Sequence, residues 1–478
     1  MDVDTYMRYD ATALADLVAK KEVTAGELLT CAINRSEAVN PQINAVVYPE
    51  YERAAQSIEA GVAPGPFAGV PFPLKNLYAY AKGYPLTNGS RILQNRRAEA
   101  DDTYVTRCRA AGLVLISMTN SSEFGLNVST EPAAYGPTRN PWNLAYSAGG
   151  SSGGAAAAVA AGIVPMAHAT DGGGSIRIPA SMCGLIGLKP SRARMPTGPV
   201  VGEAWNGLAT QHVVCRSMRD AVRCLDATHG PEPGDPYACP APERRFADEV
   251  GAHPGRLRIA LMTESVYGIP VHPDCTTAVR EAAQLLATLG HHVEEAAPKI
   301  NAETLTWAHR VIISANLRAT LDHLGRIRQQ AVTPDEVEPQ TWAFAEQGTQ
   351  LRAADLASAI TIVHMAGRAC GRFMAQYDVL LSPTLAAPPP PIGHVDTGLP
   401  DEMFAERLMP YVAFTQLYNA IGWPAISLPL HMNETGLPIG VMFAARLGDE
   451  ATLVRLASQI EQARPWFDQL PVFKIPGD

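Results

Sequence analysis

Three serines and one lysine carry the chemistry open to this sequence. Ser151 and Ser152 sit between Gly149-Gly150 and Gly153-Gly154, and Ser175 ends the run Gly172-Gly173-Gly174. Glycine this dense costs backbone entropy and is useful mainly where a chain turns sharply or admits another group closely. A serine at the end of such a run suits attack on a carbonyl, because small residues let backbone N–H groups converge on the oxyanion that forms. One such donor is worth about 3–4 kcal/mol, so Gly172, Gly173, Gly174 and Ser175 suit both tasks. Lys75 closes the stretch Gly69-Val-Pro-Phe-Pro-Leu-Lys75-Asn76. A lysine at a strand end is usually a solvated surface group, yet this apolar, proline-rich approach suits a buried ammonium.

These residues need elements to hold them. Residues 155–161 are alanine-rich and predict a tightly packed helix, and residues 163–168 predict a short buried strand returning to the second glycine turn. That unit brings the serine pair and Ser175 to one end. Either turn alone reads as an ordinary turn in a large α/β enzyme, since turns favour serine. Upstream, residues 11–60 read as helical, with Thr24 and Glu27 spaced as a capping box. A helix at 103–110 precedes a buried strand at 113–118. Downstream, 230–256 is rich in Pro, Gly and charge and reads as an exposed connector. A strand at 257–262 and a helix at 276–289 follow, then mainly helices over 302–376. A strand at 378–384 runs into the proline-rich loop 388–391.

Two nested turns followed by Arg177, Pro179 and CGLIGLKPS are hard to read as incidental. GGSSGG, TDGGGSIRIPA and CGLIGLKPS together resemble the amidase signature family of serine hydrolases. GVPFPLKN resembles its lysine motif, with Asn76 where the family commonly has Asp. Thr119-Asn120, Glu123-Phe124 and Thr138-Arg-Asn-Pro-Trp142 continue the likeness, as do Asn419, Gly422, Pro424, Ser427 and Gly436-Leu-Pro-Ile-Gly440. The likeness covers nearly the whole chain, most strongly over 66–200 and 378–465. It implies one α/β domain over 1–478, a mixed central sheet covered by helices on both faces. Within it, 66–200 would be the catalytic core and 230–376 a variable, partly helical region shaping the pocket.

The resemblance also assigns roles. Ser175 is expected to be the acylating nucleophile, Ser151 the bridging serine in a cis Gly150–Ser151 peptide, and Lys75 the base. Gly172, Gly173, Gly174 and Ser175 would form the oxyanion hole. Asp171 and Arg177 would form a structural ion pair, since buried charges need partners. Asn127 and Tyr135 fall in a segment that similarity places beside the substrate; packing is the simpler role for Tyr135. The segments Gly202-Glu-Ala-Trp205-Asn-Gly207 and Thr210-Gln-His212 resemble the branch acting on linear oligoamides, cyclic amides and aryl amides. Carbamates fit the same acylation chemistry.

Other readings are weaker. Gly150-Ser-Ser152-Gly-Gly154 contains a literal G-x-S-x-G, which would make Ser152 the nucleophile of an α/β-hydrolase. That fold also needs an acid and then a histidine downstream, and neither His212 nor His229 has a recognisable context. No phosphate-binding glycine motif is present. His291-His292 with Glu294-Glu295 lacks the spacing of a metal site. A non-catalytic binding module would lack one of Lys75, Ser151 and Ser175, all of which are present. A glutamine-hydrolysing amidotransferase subunit would keep all three and work with partners. No cofactor or metal is expected.

Composition narrows the partners. The 478 residues carry 38 basic and 47 acidic side chains, for a net charge of −9 without long runs of either sign. Nucleic acid and anionic membrane are therefore poor partners, leaving a small-molecule amide or carbamate and room for a homodimer. Eight cysteines without a CxxC pair suggest neither a zinc cage nor a disulfide framework. The start, MDVDTYMRYD, is acidic and polar, and no apolar run reaches the ~20 residues of a membrane helix. A cytoplasmic protein is expected.

Overall fold

The lysine-ended strand belongs to the smaller of two sheets. In this computed structural model, which describes residues 1–473, β1 (Val46–Pro49), β2 (Pro71–Lys75) and β3 (Val114–Thr119) pair in the order β1-β3-β2. The domain expected over 1–478 includes residues 474–478, which lie outside the described residues. β1 runs antiparallel to β3 and β2 parallel to it. Every residue of β2 and β3 is buried. Both therefore read in the sequence as unbroken apolar runs.

The continuous helical reading of 11–60 is corrected here. Helices Ala11–Ala19, α1 (Ala25–Ile43) and Tyr51–Glu59 are separate, with β1 between the last two. Thr24 and Glu27 do cap α1 reciprocally. Asn44 then takes φ 51° and stops the helix, a conformation that asparagine tolerates, and Val46-Val47 turns the chain into a strand.

The larger sheet contains β4 (Met166–Asp171), β5 (Ile186–Lys189), β6 (Thr210–Cys215), β7 (Arg258–Leu261), β8 (His292–Glu295), β9 (Val379–Pro383), β10 (Ala425–Met432) and β11 (Pro438–Ala444). Its order is β8-β7-β9-β11-β10-β5-β6-β4. The β8/β7 and β7/β9 pairs are parallel and the rest antiparallel, so the sheet is mixed. Helices flank it, including Met218–Thr228 against β6 and Pro273–Thr288 against β9 and β11. The expected mixed α/β architecture is present.

Between the sheets lies α2 (Gly153–Ala160), buried along its whole length and packed against β2, β3, β4 and β6. A helix enclosed on every side must be apolar all round, and alanine lets its neighbours approach closely. β4 starts three residues later than the sequence suggested, because Pro165 cannot donate to the ladder. That shift runs the strand directly into Gly172. Helix α3 (Arg177–Cys183) leaves the glycine turn on the other side.

The 302–376 region is helical as expected: α4 (Ala302–Arg328), α5 (Pro339–Thr349) and α6 (Ala353–Phe373). Leu317, Leu321 and Leu324 of α4 form a separate apolar cluster with Phe124, so the insert reaches the segment just before the serine turn. Among the described residues, no helix is long and apolar enough to cross a membrane.

Candidate active site

Lys75 is wholly buried where the two sheets meet. Its backbone N–H donates to His168 Nδ1 at 3.2 Å, which fastens the end of β2 to β4. Its Nζ lies 2.7 Å from Ser151 Oγ and 2.8 Å from Thr170 Oγ1. Neither contact supplies a counter-charge, and Asp171 is already bound to Arg177. Burial therefore holds the Lys75 amine well below the ordinary lysine range, with the Asp171 charge pulling weakly the other way. His168 is no rival base. Burial, and then the lysine beside it, lower its imidazole to about 3, and its Nε2 faces Gln211 Oε1 at 3.2 Å.

The second glycine turn is held from below. Arg177 Nε and Nη2 grip Asp171 Oδ2 and Oδ1 at 3.0 and 2.9 Å. Nη2 also donates to Asn419 Oδ1 at 2.7 Å, and Nη1 to the Thr415 carbonyl at 2.9 Å. Asn419 Nδ2 returns to Asp171 Oδ1 at 2.7 Å. Burial alone would raise the Asp171 carboxyl, but the guanidinium wins and brings it to about 2. Thr415 Oγ1 donates to the Gly173 carbonyl at 2.7 Å, so the far C-terminal segment carries the turn. Gly174 sits at φ 138°, where a side chain would also overlap Thr415. Among the described residues, the N–H groups of Gly172, Gly173, Gly174 and Ser175 donate to no protein acceptor.

This buried pair makes a stability prediction. Arg177→Met leaves Asp171 charged and unpaired and is expected to cost about 3–5 kcal/mol, read as a lower denaturation midpoint. The double variant Asp171→Asn/Arg177→Met should recover much of that loss. Equal midpoints for the single variant and the parent would show that the pair does not hold the turn.

Above Ser151 and Ser175 opens a cleft of about 720 Å³. Its wall is largely apolar and aromatic, with Leu77, Tyr78, Tyr80, Phe124, Val201 and Trp205. The Trp205 ring lies against Gly172, where a Cβ would come within 2.8 Å of it. Ser151 is joined to Gly150 by a cis peptide. Lys75, Ser151 and Ser175 are thus gathered from β2, the start of α2 and the turn after β4.

Residues 27–454 match the family model described as amidase. The chain belongs to the amidase signature family. It is 39% identical over 481 residues to the 6-aminohexanoate-cyclic-dimer hydrolase of Paenarthrobacter ureafaciens, covering 98% of this chain and 97% of that protein. A solved structure of 6-aminohexanoate cyclic dimer hydrolase superposes with a TM-score of 0.93 at 38% identity, covering 97% of this chain and 99% of that one. A bacterial aryl acylamidase of the same family superposes with a TM-score of 0.88 at 28% identity, covering 96% of each chain. Membership places the chain among hydrolases of amide C–N bonds.

For this amidase-family chain, the two remaining candidate residues fall away from the cleft. Asn127 donates to the Val395 carbonyl at 2.8 Å and accepts the Ser129 N–H at 3.2 Å, which locks a turn. Tyr135 shares its hydroxyl with Tyr48 at 2.9 Å and Thr87 at 2.7 Å. Neither lines the cleft, so the expectation of substrate contact is corrected for both. Asn76 binds Thr87 through both side-chain atoms, at 2.6 and 3.0 Å. Ser152 is fully buried, its Oγ 3.2 Å from the Thr170 carbonyl, which leaves the G-x-S-x-G reading without an accessible hydroxyl.

The sequence did not single out Thr170, Tyr78 or the anchor role of Thr415 and Asn419. Thr170 stood in plain view beside Asp171, but its partner lies 95 residues away. Tyr78 takes φ 59°, which turns the chain into the wall two residues after Asn76, and no local pattern announces it. Burial pushes the Tyr78 hydroxyl up to about 12, with Trp205 beside it acting in the opposite sense.

Proposed function

We propose that this chain hydrolyses small linear, cyclic or aryl amides through an acyl-enzyme on Ser175, with Ser151 and Lys75 relaying the proton. The observation that carries the reading is the buried Lys75 Nζ at 2.7 Å from Ser151 Oγ, without a counter-ion. A neutral amine has two N–H groups and one lone pair. Thr170 Oγ1 accepts one N–H, which leaves the lone pair for the Ser151 O–H. Ser151 can then take the proton from Ser175 Oγ as that oxygen attacks the carbonyl. The free N–H groups of the glycine turn would bind the resulting oxyanion. The proton returns along the same relay to the departing amine, and water releases the acyl group by the reverse sequence. An aryl or alkyl carbamate would acylate Ser175 in the same way, with carbon dioxide lost after hydrolysis.

The substrate class rests on the printed activities of the relatives and on the apolar, aromatic wall. The likeness spans almost the whole of a cyclic-amide hydrolase and of an aryl acylamidase. That favours a hydrolase working alone over a glutamine-hydrolysing subunit. Purified protein, tested against primary amides, anilides, short oligoamides and aryl carbamates, is expected to turn over anilides or oligoamides. No partner chain or ATP should be needed, and EDTA should leave the rate unchanged, since the relay uses only serine and lysine. Turnover of glutamine alone, and only beside a second subunit, would overturn this reading.

A further inference from the structure

The proposed relay leaves one group in the cleft without a task. Among the described residues lining it, Asp102 is the only one with a formally charged side chain. It also caps the helix Thr103–Ala110: Oδ1 accepts the Val105 N–H at 2.7 Å, and Oδ2 accepts the Tyr80 N–H at 3.2 Å. Capping does not require a charge, because asparagine caps as well as aspartate. Nor is the charge matched locally. The neighbouring Asp101 takes the available partners, Arg109 Nε at 2.8 Å and the Lys82 N–H at 2.6 Å.

Each Asp102 oxygen keeps a lone pair after accepting one bond. Burial pushes its carboxyl up to about 7, against the pull of the Val105 and Tyr80 N–H groups. A buried acid in that condition is relieved by a cation brought beside it. The wall also offers the aromatic faces of Tyr78, Tyr80 and Trp205, which attract a cation in their own right. An apolar groove with one carboxylate suits a molecule that is mostly methylene and ends in an amine.

We propose that Asp102 is a specificity-determining residue that binds an alkylammonium group, so that the preferred amides carry a primary amine at one end of the chain. This rests on the reading of the cleft as an amidase site. Two substrate pairs test it at about pH 8, where alkylamines are cationic. In 6-aminohexanoyl p-nitroanilide against hexanoyl p-nitroanilide the amine is on the acyl side. In N-(6-aminohexyl)benzamide against N-hexylbenzamide it is on the leaving side. For at least one pair, kcat/KM should favour the amine-bearing member by about tenfold or more, mostly through KM, the scale of a charge-assisted hydrogen bond. Asp102→Asn, which keeps the cap, should bring that ratio close to one, and Asp102→Glu should keep part of it.

Calorimetric binding of hexylammonium and of 1-hexanol reads the subsite without turnover. Asp102→Asn should weaken the first by about tenfold and leave the second alone. A ratio near one for both pairs in the parent, or a preference retained in Asp102→Asn, overturns the proposal. So does hexylammonium binding that ignores the substitution. If no neutral amide is hydrolysed, the proposed function falls, while loss of hexylammonium binding in Asp102→Asn still supports the subsite.

Discussion

Ser175→Ala is expected to lower turnover by about five to six orders of magnitude while leaving the fold intact. Ser175 is the one hydroxyl that both lines the cleft and follows a turn with free N–H groups. It packs no core and bears no structural bond in the list of anchors around Asp171, so its loss should touch chemistry rather than stability. A serine-directed fluorophosphonate should label the parent protein at Ser175, read by peptide mass spectrometry. Ser152→Ala should cost far less activity, because its hydroxyl is spent on the Thr170 backbone. A label mapped to Ser152 would transfer the nucleophile to that residue and revive the G-x-S-x-G reading.

Lys75→Ala should cost several orders of magnitude, and Lys75→Arg should not restore the rate. A base must arrive without its proton, and guanidinium never loses one in a protein. An ordinary lysine, with a pKa of about 10.4, would be charged at neutral pH, whereas burial lowers this one. The rate is therefore expected to rise along an alkaline limb and stay high past about pH 8. Stability carries the opposite sign. With the folded value depressed, the unfolded chain binds the proton more tightly, so folding is penalised in full below the folded pKa. The penalty fades as pH rises towards about 10.4, the unfolded value. Lys75→Met should thus raise the melting temperature near neutral pH, with a gain that shrinks in more alkaline buffer, while turnover is lost. Near-parental activity in Lys75→Arg would show that this amine is not the base.

How far the sequence could be read depended on where each signal was stored. The relay and the glycine turn were legible because their residues are clustered in short motifs whose chemistry is local. Helix Thr103–Ala110 and the capping box at Thr24 were legible for the same reason. β1 was not, since four residues between two helices leave no periodicity to detect. The start of β4 was misplaced because Ile163 and Val164 look like strand residues but precede Pro165. The cleft wall was the least legible part. Leu77, Tyr80, Phe124, Val201 and Trp205 come from separate loops, and only tertiary folding makes them neighbours. Asn127 was misjudged because a buried amide in a turn has the same local signature whether it binds substrate or a distant carbonyl.

The contact between Trp205 and Gly172 has a kinetic meaning. Most of the wall stands apart from the relay, so changes there alter how tightly a substrate is held and little else. Trp205 differs, because its ring rests on the first residue of the turn that would receive the oxyanion. A substrate that presses on this ring presses on the catalytic backbone as well. At this one place, recognition is translated into rate: substitutions at Trp205 should shift kcat together with KM, and poorly fitting amides should bind yet react slowly. Discrimination among amides would then be exercised during acylation, after the cleft has already filled.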